Sequence, residues 1–459
     1  MLNDGDTEGK LVDTVGPQRD LAATGTRLPQ TFYEMGKSYL LAGKLYESLA
    51  VYAKAIQLST ATSMIDTPLK SMDNVDIIRD KSPAYEWVRR LLLTGQAAKF
   101  PTYEAKGAVK RLASSGYKPI ASPVVVVAGG CDVSVEQQMQ GYRQLMLEAF
   151  RNFKGTIISG GTTAGISGLV GDVSQEYSNA IRAIGYVPRS TPTDVSIDRR
   201  YSEIRYTEGD SLSALEPLQY WTDIIASDIP PSQVRLLGFN GGTIAAFEYK
   251  VALALGAYVG VVKDSGGEAA KLLQDDDWRM SLRLVQLPAD VMTIRAFIGW
   301  ESPRLAPDIQ ETIAKAIHDH YRHIRRGNEH NQDPSMAEWD KLPEYLKESS
   351  RQQAGHILEK LSQIGCTVHK ITGRNIRMMT FTEDEVEIMA EMEHGRWNVE
   401  RLLDGWMWSE TRDIIKKTSP YLIGWSELPE DAKEWDRELM RKVPEFLAEV
   451  RLEIRRDEA

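Results

Sequence analysis

Two glycine–threonine turns carry the clearest chemistry in this chain. The first, Ser159-Gly160-Gly161-Thr162-Thr163-Ala164-Gly165, follows a short β-branched run and leads into an apolar, small-residue segment that can open a helix. The second, Asn240-Gly241-Gly242-Thr243, follows the apolar run Val234 to Gly238 and leads into the small-residue helix Tyr249 to Leu255. Glycines let the backbone approach an anion without a Cβ in the way, and hydroxyls add donors. A following helix adds unpaired N–H groups and its positive dipole end. This is the chemistry of a phosphate cradle. Gly129-Gly130 ends a third apolar run, and Lys263 follows a fourth, so both fall on the same edge of a parallel sheet, where open α/β folds bind ligands. If the site is enzymatic, Glu248 or Asp172 is the carboxyl that would serve as its acid–base group.

A second constellation lies far downstream. Glu393, Arg396, Trp397 and Arg401 recur at helical spacing, with Trp406, Trp408 and Trp425 following. Aromatic faces with a guanidinium and a carboxylate suit a purine nucleotide, which marks Glu393, Arg396, Trp397, Trp406 and Trp425 as candidate ligand residues. A structural reading competes: Glu393 pairs with Arg401 or Arg437 to lock a small module whose tryptophans fill its core. Metal chemistry is not indicated. His318, His320, His323 and His330 cluster, but not at the i, i+4 spacing of a zinc helix. Cys131 after Gly130 reads as a small buried residue, not a nucleophile.

The elements that must position these residues alternate from Pro123 onward between strands and helices, the pattern of a parallel α/β sheet with about six strands. The strands are expected at Val124–Ala128, Thr156–Ser159, Ala183–Val187, Val234–Gly238, Tyr258–Val262 and Leu282–Gln286. Pro188 to Glu216 is long and polar and holds Arg189, Arg199, Arg200 and Arg205; it reads as a ligand clamp or as a solvated excursion or β-ribbon. Upstream, residues 1–27 read as a disordered tail, and 28–118 as helical, with Ser82-Pro83 starting one helix. The last third is a duplication. Asp333-Pro334 to Glu344, with Trp339 and Pro343, aligns with Ser419-Pro420 to Glu430, with Trp425 and Pro429 (425 − 339 = 86). Upstream of it Ile317 to Arg325 aligns with Glu393 to Arg401 (401 − 325 = 76), so the second copy carries a loop ten residues longer.

The glycine turns, in the order Ala128-Gly129-Gly130, Ser159 to Gly168, and Asn240 to Thr243 with Glu248 beyond, resemble the SLOG superfamily of Rossmann-like domains. That superfamily includes the cytokinin-activating LOG phosphoribohydrolases and the nucleotide-sensing domains of melastatin-type TRP channels. The resemblance implies a nucleotide-binding α/β domain over 119–298, with the glycine-turn residues and Lys263 as its ligand site. LOG enzymes carry Pro-Gly-Gly-x-Gly-Thr-x-x-Glu with a catalytic Glu. Here Asn240 replaces the proline, and Glu248 lies five residues past Thr243, not three. The motifs Met392-Glu393-His394-Gly395-Arg396-Trp397, Gly405-Trp406, Pro420-Tyr421-Leu422 and Trp425 to Pro429 resemble the RyR domain, with 305–365 as a degenerate first repeat and 380–455 as the second. Phe32 to Leu58 resembles a single tetratricopeptide hairpin, whose apolar face needs a cover from neighbouring helices or another subunit.

These resemblances imply a sensor of a nucleotide or ADP-ribose-like ligand, as in nucleotide-signalled bacterial defence against phage. The alternative is a nucleotide N-glycosidic hydrolase using Glu248. Composition sets the remaining expectations. With 459 residues and a net charge of −10, nucleic acid is not an expected partner, and a small anionic ligand must be held by local loops. Two cysteines and no span of membrane length suggest a cytoplasmic protein without resident metal or cofactor. Self-association is expected from the SLOG resemblance.

Overall fold

The computed structural model describes residues 18–19, 21–25, 28–73, 83–191, 193, 195–299, 305–325, 334–371 and 378–457. The tail expected at 1–27, apart from seven positions, and Ser82, His330 and Asp333 lie outside them. The chain divides into two units, residues 1–287 and 288–459. Among the described residues no helix is long and apolar enough to cross a membrane.

The first unit is built on seven parallel strands: β1 (Val124–Gly129), β2 (Gly155–Ser159), β3 (Ile181–Pro188), β4 (Glu203–Thr207), β5 (Val234–Phe239), β6 (Tyr258–Val262) and β7 (Leu284–Leu287). Their order is β4-β3-β2-β1-β5-β6-β7, so the sheet grows outward in both directions from β1 and β5. At that switch point the connections leave on opposite faces and the carboxyl ends open a crevice. Both central strands are buried along their length, which is why they read as unbroken apolar runs.

The segment read as a clamp or an excursion contains β4, paired in parallel with β3 at the sheet edge. Two of its four arginines, Arg200 and Arg205, are used structurally, while Arg189 and Arg199 are exposed. Arg205, 3% exposed, donates to Asp223 at 2.8 Å and to Glu203 at 2.6 Å. Arg200 holds Asp198 and Asp172, and Arg143 takes the other oxygen of Asp172 at 2.7 Å. Asp172 is therefore tied into ion pairs and is not a free acid or base.

The N-terminal region is helical, with Gln30–Leu41 and Leu45–Leu58 forming a hairpin around Gly43, whose φ is 73°. Gly36 is required where the two helices cross: a Cβ there would lie 2.7 Å from the Tyr52 ring. Ser48, standing at the usual alanine position, donates to the Gly36 carbonyl at 2.8 Å. The second helix packs on Pro83–Lys99 and on Thr243–Leu255, within one apolar cluster shared with the sheet. The hairpin's apolar face is thus covered within the chain.

The second unit repeats itself contact by contact. His318 Nε2 meets the Ala337 carbonyl at 2.8 Å, and His394 Nε2 meets that of Ile423 at 2.9 Å. Each imidazole lies 5.8 Å from its tryptophan, Trp339 or Trp425. Arg351 Nε donates to Glu311, and Arg437 Nε to Glu387, both at 2.6 Å. The strands Cys366–Lys370 and Leu452–Arg456 pair antiparallel with Val368 opposite Ile454. Since 454 − 368 = 86, each strand pairs with its own counterpart across a pseudo-twofold axis. The helix Val291–Ile298, read from sequence as the end of the α/β domain, packs in this unit on Glu383–Leu403. Gly395 permits that crossing, because a Cβ there would lie 2.4 Å from the Met292 backbone.

Candidate functional site

The glycine turns do converge at the carboxyl ends of β1, β2 and β5. The Gly130 N–H donates to the Phe239 carbonyl at 3.0 Å, and the Gly130 carbonyl accepts from Ile166 at 3.0 Å, so the three loops are laced together. The glycines stand where backbones nearly touch. A Cβ on Gly129 would lie 2.1 Å from the Phe239 carbonyl oxygen, and one on Gly165 2.1 Å from that of Gly130.

The two threonine turns are not equivalent. The first is filled by its own chain. Ser159 is buried and donates to the Val127 carbonyl at 2.7 Å, and the buried Thr162 gives its N–H to Ser167 Oγ at 3.0 Å. Thr163, although exposed, donates its N–H to the Ser196 carbonyl at 3.0 Å. The N–H of Gly165, first residue of the helix Gly165–Glu176, goes to the Glu136 carboxylate at 2.6 Å. A carboxylate thus already occupies the anion seat of this helix. The second turn is open. Gly242 and Thr243 are exposed, nothing lies within 4 Å of a Cβ built on Gly242, and the amides of 242–245 have no acceptor among the described residues. These are the free first-turn donors of the helix Thr243–Leu255.

Asn240 is the strut of the open turn. Its φ is 53°, a left-handed value that a proline, locked near −65°, cannot adopt. Its Oδ1 accepts from the Gly241 N–H at 2.7 Å, and its Nδ2 donates to the Ser265 carbonyl at 2.8 Å and to Gln138 Oε1 at 3.0 Å. Asn240 therefore shapes the turn, with both polar atoms of its side chain already engaged in it. The loop after β6 joins here through Ser265 Oγ, which accepts from the Asn240 N–H at 3.1 Å. Lys263 begins that loop, partly buried and donating its N–H to the Leu287 carbonyl at 2.8 Å. Glu136, Gln138 and Ser265 were missed in the sequence. The pair Gly266-Gly267 after a strand signalled the last of them; nothing local signalled the other two.

Glu248 lies on the open helix, with Tyr220 Oη 3.4 Å from its carboxyl. Burial raises it to about 8; the Tyr220 hydrogen bond opposes this and the charge of Glu216 adds to it. Glu216 is itself raised by burial. The Cys131 thiol, at the end of β1, is pushed up to about 11 by burial and feels the charges of Glu248 and Glu136, which places both acids near the cradle. At neutral pH Glu248 is a neutral carboxyl, a donor and not an anion, and Cys131 is a thiol, not a thiolate.

In the second unit, residues of both copies enclose a cavity of about 260 Å³. Glu393, Arg396, Trp397 and Trp406 line it, whereas Trp425 packs outside, against His394, with its Nε1 donating to Glu387 at 2.9 Å. Neither Arg401 nor Arg437 pairs with Glu393, contrary to the structural reading of the sequence. Glu393 accepts from Arg396 Nη2 at 2.7 Å, from Gln353 at 2.8 Å and from Lys360, which is 1% exposed. Burial works against its charge, but Arg396 and Lys360 outweigh burial and hold it well below the usual carboxylate range. Arg437 binds Glu387, and Arg401 lies over Trp397 and Trp406. Of the histidine cluster, His318 holds a carbonyl, and among the described residues no group of His, Cys, Asp and Glu could hold a metal ion.

Comparison with protein-family models matches residues 122–296 to the family described as SLOG in TRPM, prokaryote, and residues 371–456 to the RyR domain. The first copy of the duplication lies outside the second match. Among solved structures, a structural-genomics X-ray structure of a protein designated TM1055 is 20% identical over 33% of this chain and 81% of that one, with a TM-score of 0.26. Over residues 122–296 this chain therefore carries a SLOG domain, and over residues 371–456 a RyR domain.

Proposed function

We propose that this protein is a sensor of a nucleotide or nucleotide-derived anion of the ADP-ribose kind, held in the SLOG cradle. The observation that carries this reading is the open turn at Gly242 and Thr243. There four first-turn amides have no acceptor among the described residues, at the switch point of a parallel sheet and in a domain matched to a SLOG family. A phosphate seated on those amides needs no basic surface, in keeping with the net charge of −10. Gly129, Gly130, Gly160, Gly161 and Gly165 set the loops that frame it. Asn240 shapes the turn, and Lys263 stands at the mouth of the neighbouring loop. The protein is proposed to act in the cytoplasm, as a homo-oligomer, in nucleotide-signalled defence. Light scattering tests the second of these points and a phage-challenge assay the third.

A specific observation favours a second reading, an N-glycosidic hydrolase. Glu248 is held neutral beside the cradle, the state a general acid needs to protonate a leaving base. One experiment separates the two. A thermal-shift screen against AMP, ADP, ATP, ADP-ribose, NAD and cyclic dinucleotides identifies the ligand; at a hundred times its Kd it adds about 2.7 kcal/mol. Incubation of the parent and Glu248→Gln with that ligand then reads turnover. Binding without product supports the sensor, and product lost in Glu248→Gln supports the hydrolase. A screen with no shift refutes both.

A further inference from the structure

The two edges of the seven-stranded sheet are finished differently. At one edge lies β7, whose outward residues are Leu284 and Gln286, and there the Leu284 N–H is taken by the Ser281 carbonyl at 3.0 Å. At the other lies β4. In its parallel pairing with β3, the backbone groups of Glu203, Arg205 and Thr207 face β3, a phase fixed by the Arg189 N–H on the Thr207 carbonyl at 3.0 Å. The N–H and C=O groups of Ile204 and Tyr206 therefore point away from the sheet. They make no hydrogen bond among the described residues.

Exposed edges are ordinarily blunted by proline, lysine, a bulge or a covering segment. The strand Glu203-Ile204-Arg205-Tyr206-Thr207 holds neither proline nor lysine. Its charged side chains are turned into ion pairs: Glu203 takes Arg182 at 2.7 Å and Arg205 at 2.6 Å, and Arg205 reaches Asp223 at 2.8 Å. Tyr206 is 45% exposed. An open groove of about 720 Å³ runs beside the strand, with Ile204 and Tyr206 on one side and Val195 and Ile197 on the other. An unbonded edge next to a groove is the arrangement that accepts an added strand.

The strand is complementary to its own reversed copy. Outward donors and acceptors alternate over two residues, so a twofold axis at Arg205 would let two copies exchange four hydrogen bonds, with Ile204 opposite Tyr206 of the second copy. Pairs of an aromatic and a β-branched side chain are among the favourable cross-strand neighbours. Arg205 would meet its own counterpart, but each guanidinium is already answered by Glu203 and Asp223, so the edge brings no net charge to the contact although the chain carries −10. Two short strands alone bury less than the roughly 800 Å² per partner of a stable interface. The groove supplies further surface for the second copy to cover.

We propose that β4 is a docking edge for a second copy of this chain, whose own β4 pairs antiparallel with it through Ile204 and Tyr206 and joins the two sheets into one. The proposal rests on the reading of the protein as a homo-oligomer and names the surface that makes it one.

Light scattering on the full chain from about 1 to about 100 μM, beside hydrogen exchange of the Ile204 and Tyr206 amides, tests it. The parent is expected to reach twice the chain mass, and those two amides to exchange more slowly as concentration rises. Tyr206→Pro removes an N–H that serves no internal ladder bond and is expected to fold, by circular dichroism, and to run at the chain mass. Tyr206→Lys keeps every backbone group, so it decides the matter where the proline variant fails to fold; it is expected to weaken association at least about tenfold. An oligomeric parent whose mass survives in Tyr206→Lys, with both amides exchanging freely, overturns the β4 edge and leaves the homo-oligomer standing on another surface. A parent that stays at the chain mass throughout overturns both, and an edge that takes only a strand of some other protein gives that same result.

Discussion

Replacing Glu248 by glutamine converts the half-buried carboxyl of the open helix into a group that cannot ionise but has nearly the shape of its neutral form. The carboxyl is raised from 4.5 to about 8, chiefly by burial. The folded value lies above the unfolded one, so the group's contribution to stability is complete below about pH 4.5 and is lost as pH rises through about 8. A shift of about 3.5 units at about 1.36 kcal/mol each sets an upper bound near 5 kcal/mol. Partial solvent access and local relaxation bring the expected cost to about 1–3 kcal/mol. Glu248→Gln should therefore match the parent near pH 5 and exceed it near pH 9 by that amount. Urea melts of both proteins near pH 5, 7 and 9 measure the gap, in which all other titrations cancel. A gap that does not widen with pH, or that favours the parent at high pH, would refute the burial argument and with it the neutral Glu248 on which the hydrolase reading depends.

Gly242→Asp introduces a side chain where nothing lies within 4 Å and supplies an N-cap acceptor, so differential scanning should show stability unchanged or raised by a few tenths of a kcal/mol while nucleotide binding at the cradle is lost. Gly161→Val behaves in the opposite way. Its φ of 69° and a Cβ 2.9 Å from the Gly185 Cα predict poor folding, which soluble yield and circular dichroism will register. Lys360→Met leaves Glu393 with Arg396 and Gln353 alone and should cost about 2–4 kcal/mol, read as a lower urea midpoint. His318, His320, His356 and His394 are all lowered by burial. Their neutral forms stabilise the fold above about pH 6.5, so the second unit should lose stability as pH falls from 7 to 5; a flat Tm over that interval contradicts this.

Much of this was legible in the sequence because it is local. The runs at Val124 and Val234 are strands buried on both faces, and their glycine pairs mark the switch point without reference to any other residue. The duplication was legible as well, since its offsets, 76 and 86, reappear in the atoms as paired histidine–carbonyl contacts. What stayed hidden depends on partners distant in sequence. The strand Glu203–Thr207 sits at the sheet edge and its buried arginine is answered by Asp223 on a helix, so its pattern reads as polar loop. The closing of the first turn by Glu136, 29 residues from Gly165, leaves no local trace. Nor does the pairing of Lys360 with Glu393 across the two copies, although Glu393 itself stood out.

The placement of the two cysteines gives this protein a pair of internal clocks. Cys131 lies in the SLOG cradle and Cys366, 1% exposed, opens the strand that the C-terminal ribbon covers, so each unit holds one free thiol. A thiol reagent can reach Cys366 only when the strand Leu452–Arg456 peels away, and its labelling rate counts those openings. Cys131, partly exposed at the end of β1, reports on the cradle instead: a ligand that closes the cradle slows its labelling. Labelling the native chain and following the two thiols separately therefore reads the opening of the C-terminal ribbon and the occupancy of the cradle from a single sample, without denaturant and without dividing the chain.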